Sequence, residues 1–143
     1  MATTVHAEFQ QRDRIIFRAR GRSSVNTRRM LDDGPVGYTS TELLLIALGN
    51  CSLGWLSNNA LLADEPLRIV TARIEAEGAT EGPPRVLKIS LDIELEVTNP
   101  ELLDRVAELE AIACTCPVCN SVIAEKEVRL TLRLASEGQS TPA

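Results

Sequence analysis

The sequence predicts an α+β fold in a single domain, residues 1–143. Three observations predict it. Strand-like and helix-like stretches come in blocks rather than in strict alternation, which separates α+β from α/β chains. The run Val86 to Val97 alternates apolar and polar residues from Leu87 onward, the period-two pattern of a half-buried strand. The apolar stretch from Leu43 to Leu56 has a helix-capping signal before it and turn residues beyond it.

The N-terminal residues read as strands: Thr3 to Phe9, Arg14 to Arg20, and a shorter one from Val25 to Met30. In the second, Ile15, Phe17 and Ala19 alternate with Ile16, Arg18 and Arg20. Asp32-Asp33-Gly34-Pro35 is turn chemistry. Thr39 then opens a helix with a capping box. Its hydroxyl is placed to accept from the Glu42 amide, and the Glu42 carboxylate to reach back to the Thr39 amide. The helix is expected to reach about Leu62, before Asp64-Glu65-Pro66. It is apolar on most sides, which marks a buried central helix whose remaining face a second subunit would cover. Leu44, Leu48, Cys51 and Trp55 share one face at helical spacing. Gly49 and Gly54 cost helix stability and mark close approach of another backbone.

Leu67 to Glu77 alternates as a strand, and Gly82-Pro83-Pro84 connects it to Val86–Val97. Leu87, Ile89, Leu91, Ile93, Leu95 and Val97 are expected inward, and Lys88, Ser90, Asp92, Glu94 and Glu96 outward. The two strands form a long antiparallel hairpin with one wet face. Asn99-Pro100 starts a second helix, with Asn as N-cap and Pro at the first helical position. That helix carries Leu102, Val106, Leu109 and Ile112 as its stripe and ends near Cys114. Cys116-Pro117 restarts a helix to about Lys126, Val128 to Leu134 is the last strand, and the polar tail from Ser136 is expected to be disordered.

Net charge is -5, from 15 basic and 20 acidic residues. That excludes the basic excess of a nucleic-acid binder. The early arginines, including Arg18, Arg20, Arg28 and Arg29, read as a solvated strand face from which one could serve a site. The apolar stretch is too short for a bilayer and is interrupted by Asn50 and Ser52, so no membrane partner is expected. The N-terminus lacks a basic region followed by an apolar run, and the expected location is cytoplasmic.

Cysteine placement carries the chemistry. Cys51 lies within the apolar helix, and Cys114, Cys116 and Cys119 crowd around the start of another. In a reducing compartment such thiols are catalytic, metal-binding or inert rather than a disulfide framework. Helix N-termini favour the thiolate, and Cys116-Pro117 puts a cysteine at one. Cys51 alone is equally a small core hydrophobe. Zinc is an open alternative for the cluster, with Cys51 or His6 as the fourth ligand, but only one Cys-x-x-Cys pair is present. His6 itself reads as a surface residue.

Two segments resemble a known family. Gly37 through Cys51 is similar to the opening of the central helix in the osmotically inducible protein C / organic hydroperoxide resistance (OsmC/Ohr) family, and Cys116-Pro117-Val118-Cys119-Asn120-Ser121 to that family's Cys-Pro-Val-Ser turn. The resemblance runs from about Val5 to Leu134. It implies an OsmC/Ohr-like fold, a curved antiparallel sheet around two central helices in an intertwined homodimer with its sites at the subunit interface. It implies a thiol peroxidase acting on organic hydroperoxides, recycled by a dithiol of lipoyl or other type, with no cofactor and no metal. Carried over by position, Cys51 is the peroxidatic thiol and Cys116 the resolving thiol. The family's arginine–glutamate pair maps onto Arg28 or Arg29 and Glu42, with Arg18 and Arg20 in reserve.

Departures leave alternatives open. The family's acidic position falls at Thr41, with Glu42 one residue later, so Glu42 is either the site acid or only a capping residue. Ser40 replaces the helix-opening Pro. Cys119 stands where Ser or His is usual, either as an extra redox thiol or as an incidental buried one. A chain lacking the pair would be a non-catalytic binder of an apolar ligand in the same dimer pocket.

Overall fold

A computed structural model describes residues 2–11, 13–27, 30–31, 34–35, 37–67 and 70–135. Arg28, Arg29, Asp32, Asp33 and the tail from Ser136 lie outside the described residues. The chain divides into two compact units with the boundary between Leu44 and Leu45, within its long helix.

The N-terminal unit is a three-stranded antiparallel meander: β1 (His6–Gln11), β2 (Arg14–Ala19) and β3 (Arg22–Thr27). β2 and β3 are joined by Arg20-Gly21, both at positive φ, 52° and 73°. Two left-handed residues make the turn whose twist matches a hairpin. The third strand therefore starts at Arg22, ahead of the expected Val25. Two short strands, β4 (Met30–Leu31) and β5 (Gly34–Pro35), pair antiparallel, so the second half of the expected turn is strand, and its first half, Asp32-Asp33, lies outside the described residues. Asn26 then clamps the chain: its amide donates to the Tyr38 carbonyl at 3.0 Å and accepts from the Tyr38 amide at 2.9 Å. A Cβ at Gly37 would collide with the Thr27 carbonyl, so only glycine allows this approach. The capping box forms as expected, Thr39 N donating to Glu42 Oε1 at 2.8 Å and Glu42 N to Thr39 Oγ1 at 3.1 Å.

Helix α1 (Ser40–Ser57) leads into the C-terminal unit. It ends before the expected Leu62 because local side chains capture the backbone. Ser57 Oγ donates to the Gly54 carbonyl and Asn59 Oδ1 accepts from Leu61 N, contacts that compete with helix. Its buried stripe is Leu48, Gly49, Ser52 and Leu56. Burial is one-sided in the single chain: Ile46 and Trp55 are 48% and 46% exposed.

The sheet of this unit is β6 (Val70–Gly78), β7 (Val86–Val97) and β8 (Glu125–Leu134), with β7 in the centre. β6 pairs antiparallel to β7, from Val70 opposite Leu95 to Gly78 opposite Val86. β8 pairs parallel to β7, from Lys88 opposite Glu125 to Val97 opposite Leu134. The sheet is thus mixed, where the resemblance implied an antiparallel one. Parallel pairing needs a crossover, and residues 98–124 supply it: a 3-10 helix (Pro100–Arg105), α2 (Val106–Ala113) and α3 (Pro117–Ser121). Asn99 caps the first, accepting from Glu101 N at 3.0 Å, and Glu65 accepts from the amides of Thr98 and Asn99. α3 stops at Ser121 and β8 begins three residues ahead of Val128, because the β7 ladder captures Glu125, Lys126 and Glu127.

Alternation along β7 holds from Ile89 to Val97, whose odd-numbered members are buried. Leu87 is 43% exposed, as it precedes the stretch covered by β8, and Glu96 is buried rather than outward. The β7 residues join Leu48, Leu56, Leu62, Leu102, Leu109, Ala113, Cys116, Cys119 and Leu130 in one core. Ion pairs Lys88–Glu127, Arg129–Asp92 and Arg133–Glu94 line the wet face and contribute little to stability. No helix among the described residues is long and apolar enough to cross a membrane.

The two helical glycines differ. A Cβ at Gly49 would collide with Ile74 Cδ1, whereas one at Gly54 meets nothing within 4 Å. Gly54→Ala should therefore raise stability by about 0.5–1 kcal/mol, and Gly49→Ala should lower it. Adding Ile74→Val, which removes the obstructing methyl, should recover most of the Gly49→Ala loss in urea unfolding. Equal effects of the two glycine substitutions would contradict the close approach.

Candidate dithiol site

α1 sets Cys51 and Ser52 side by side, about 100° apart around the helix. Ser52 turns into the core and is fully buried. Cys51 is half-buried and borders a groove of about 500 Å³, lined by Cys51, Gly54, Trp55, Asn58, Asn59 and Ala60.

Facing them is the reversal between α2 and α3. Cys116 is the N-cap of α3, with φ -67° and ψ 153° and Pro117 at the first helical position. Its Sγ accepts the Cys119 amide at 3.3 Å, and Ser52 Oγ lies 3.3 Å from the same sulfur. Cys51 lies near enough to Cys116 for each thiol to shift the other's acidity, and the Val118 amide lowers the pKa of both. Trp55 Nε1 donates to Thr115 Oγ1 at 3.0 Å, fastening α1 to the reversal. Thr115 Oγ1 in turn donates to the Ile112 carbonyl at 2.7 Å. All four cysteines are free thiols.

These contacts decide where the negative charge rests. Burial pushes the Cys116 thiol up, but Ser52, the Cys119 amide, Cys51 and the Val118 amide together outweigh it, and its pKa is lowered. For Cys51 the Val118 amide pulls down. Burial and the hydrogen-bonded Cys116 sulfur pull up harder, and its pKa is raised. Of the two thiols Cys116 is thus the more acidic and Cys51 the less, and their titration belongs to the pair rather than to either residue. Cys119 is pushed up to about 12, first by burial and then by the charge and hydrogen bond of Cys114, with Lys126 opposing.

Of the residues singled out in the sequence, Cys51, Cys116, Cys119 and Cys114 come together. Glu42 occupies the capping box, accepting from Thr39 N. Arg28 and Arg29 are outside the described residues. Arg18 pairs with Glu8 at 2.8 Å, and Arg20 forms the β2–β3 turn. Among the described residues no arginine contributes to the shift of Cys51, and no three His, Cys, Asp or Glu side chains are grouped to hold a metal ion. Ser52 and Thr115 were missed. Ser52 had a signal, since a hydroxyl inside an apolar helix must find a buried partner.

A helix-borne thiol near a buried Cys-Pro thiol, beside a β6–β7 hairpin and a parallel β8, defines an α+β dithiol protein. The chain belongs to the OsmC-like protein family, whose model matches residues 32–133. Solved structures share the fold. An OsmC-like protein of unknown function from Vibrio cholerae superimposes with a TM-score of 0.76 at 12% identity, covering 92% of this chain and 99% of that one. An OsmC-like protein from Mycoplasma pneumoniae gives 0.73 at 15% identity, covering 95% and 99%. The organic hydroperoxide resistance protein OhrB of Bacillus subtilis gives 0.62 at 15% identity, covering 93% and 98%. No curated protein matches the sequence significantly.

The Cys119 shift has a consequence for stability. Its folded pKa lies above the unfolded value of about 8.5. Its stabilising contribution is therefore complete below that pH and is lost as pH rises toward about 12. Between pH 9 and 11 the wild type should lose stability relative to Cys119→Ala, by up to about 1.4 kcal/mol per pH unit. Parallel urea-midpoint profiles for the two proteins would refute the burial of this thiol.

Proposed function

We propose that the protein is a thiol peroxidase for organic hydroperoxides, with Cys51 attacking and Cys116 resolving. The observation that supports this reading is that Cys51 opens onto a groove while lying near enough to the buried Cys116 for each thiol to shift the other's pKa. Cys51 is reachable from that groove, whereas Cys116 is wholly buried. Trp55, Gly54 and Ala60 give the groove an apolar side, opposite Asn58 and Asn59, which suits an organic peroxide better than hydrogen peroxide.

A proton passed between the thiols completes the reaction. Proton transfer from Cys51 to Cys116 gives a Cys51 thiolate, the form that attacks peroxide. It displaces the distal peroxide oxygen, becomes a sulfenic acid, and releases an alkoxide that takes the proton held on Cys116. The Cys116 thiolate then attacks Cys51 Sγ and expels hydroxide. One thiol, one thiolate and ROOH have become a disulfide, ROH and hydroxide. An external dithiol restores the thiols by exchange.

The initial proton transfer runs against the two pKa shifts. A cation beside Cys51 would offset this, and Arg28 or Arg29 is proposed for that role with Glu42 orienting it, on the family resemblance. The exposed Ile46 and Trp55 on α1 support a homodimer that covers this helix. Light scattering should then give twice the chain mass at micromolar concentration; a strict monomer would oppose it.

One equivalent of cumene hydroperoxide should yield a Cys51–Cys116 disulfide by peptide mapping. Cys51→Ser should abolish the reaction, and Arg28→Met or Arg29→Met should slow it at least about tenfold, one pKa unit's worth. Unreacted thiols with normal binding of apolar molecules in the groove would favour the non-catalytic binder instead. Unchanged rates in both arginine variants would remove the arginines from the site.

A further inference from the structure

Gly54 costs α1 stability and makes no packing contact in return. A glycine inside a helix is worse than alanine by about 0.5–1 kcal/mol, and a Cβ at Gly54 would meet nothing within 4 Å. Gly49 on the same helix is different, because Ile74 fills the space above it. What Gly54 leaves is room, and the room opens beside Cys51. Both residues line the groove of about 500 Å³, with Trp55, Asn58, Asn59 and Ala60. Helix geometry makes this position matter for this thiol. A helical side chain leans toward the N-terminus and covers the surface over residues i−3 and i−4. For Cys51 the residues so placed are Gly54 and Trp55. Gly54 has no side chain to offer. Trp55 is tethered, its Nε1 donating to Thr115 Oγ1 at 3.0 Å, and Thr115 is itself tied to the Ile112 carbonyl at 2.7 Å. The indole is therefore one fixed wall, and Cys51 stays half-buried on the groove.

We infer that Gly54 determines which hydroperoxides reach Cys51: its missing side chain seats the hydrocarbon part of a bulky, apolar hydroperoxide, with the Trp55 indole as the adjoining wall. The inference rests on the peroxidase reading for the reaction that follows. An aryl or branched alkyl group in that space takes its own apolar surface and that of Trp55 out of water, which stabilises the complex in proportion to the area covered. Hydrogen peroxide carries no such group and gains nothing from the space. Position 54 thus acts through the size of the groove, and the thiol chemistry at Cys51 is the same for either peroxide.

Gly54→Leu and Gly54→Ala test this in the full-length protein. Both residues are better helix formers than glycine, and only leucine reaches far over Cys51. Oxidation of Cys51 is timed with cumene hydroperoxide and with hydrogen peroxide. Alkylation of Cys51 is timed by peptide mapping with N-phenylmaleimide and with N-methylmaleimide. Each pair joins a bulky to a small reagent with the same reacting group, so a change in thiol acidity cancels in the ratio of rates. Gly54→Leu should lower the bulky-to-small ratio at least about tenfold in both pairs, the discrimination a hydrophobic pocket achieves for a methylene or two. Gly54→Ala should lower it by less. The inference is overturned if Gly54→Leu leaves the ratios as in the wild type. Both rates falling together overturns it as well and, with loss of the dimer in light scattering, gives the space to a second copy of this chain. Should the leucine variant fail to fold, Gly54→Ala decides, an unchanged ratio again overturning the inference. A wild type inert to both peroxides, with the maleimide ratio lowered in Gly54→Leu, would strike the peroxidase reading while upholding the control of access to Cys51 by position 54.

Discussion

Parallel pairing of β8 on β7 is the constraint on which the C-terminal unit is built. Antiparallel neighbours can be closed by a few residues, as β6 and β7 are; parallel ones cannot. The chain leaving Val97 must travel back before Glu125 can pair with Lys88. The 3-10 helix and α2 make that return, packed against β8, and Leu102, Leu109 and Ala113 seal the apolar face of β7. Glu110 fixes the traverse by accepting from the Leu130 amide at 3.0 Å. The Cys114–Cys119 reversal exists because this return must end and turn into β8.

The dithiol site is a by-product of that reversal meeting α1. Burying a sulfur that is to carry charge is costly unless donors reach it. The reversal supplies backbone donors from Val118 and Cys119, and α1 supplies Ser52 and Cys51. Trp55 and Thr115 hold the two segments in register. Every buried side-chain nitrogen and oxygen among the described residues has a partner. The asymmetry of the pair follows from this geometry. Cys116 receives most of the donors, while Cys51 keeps the access.

The four cysteines thus divide by environment rather than by sequence distance. Cys51 and Cys116 lie far apart in the chain and shift each other's acidity, whereas Cys116 and Cys119, on one turn, differ widely in acidity. Cys119 has burial and the Cys114 sulfur against it, with only Lys126 in its favour.

By itself the sequence determined the elements whose local signals are strong. The bounds of β7 and its inward face from Ile89 to Val97 were legible because alternation has a strict period; Leu87 and Glu96 depart from it. The caps at Thr39 and Asn99 were legible because a short polar side chain before a helical run has one favourable use, and Cys116-Pro117 marked a helix start for the same reason. The direction of β8 was not legible, since strand periodicity is the same in either sense. The Arg20-Gly21 turn was hidden because arginine rarely takes positive φ. Only packing chose the Leu48, Ser52 and Leu56 stripe of α1 over the Leu44, Cys51 and Trp55 face. The direction of each thiol's shift was likewise a tertiary decision: it depends on which amides and hydroxyls point at each sulfur, and those donors come from segments that only the fold brings together.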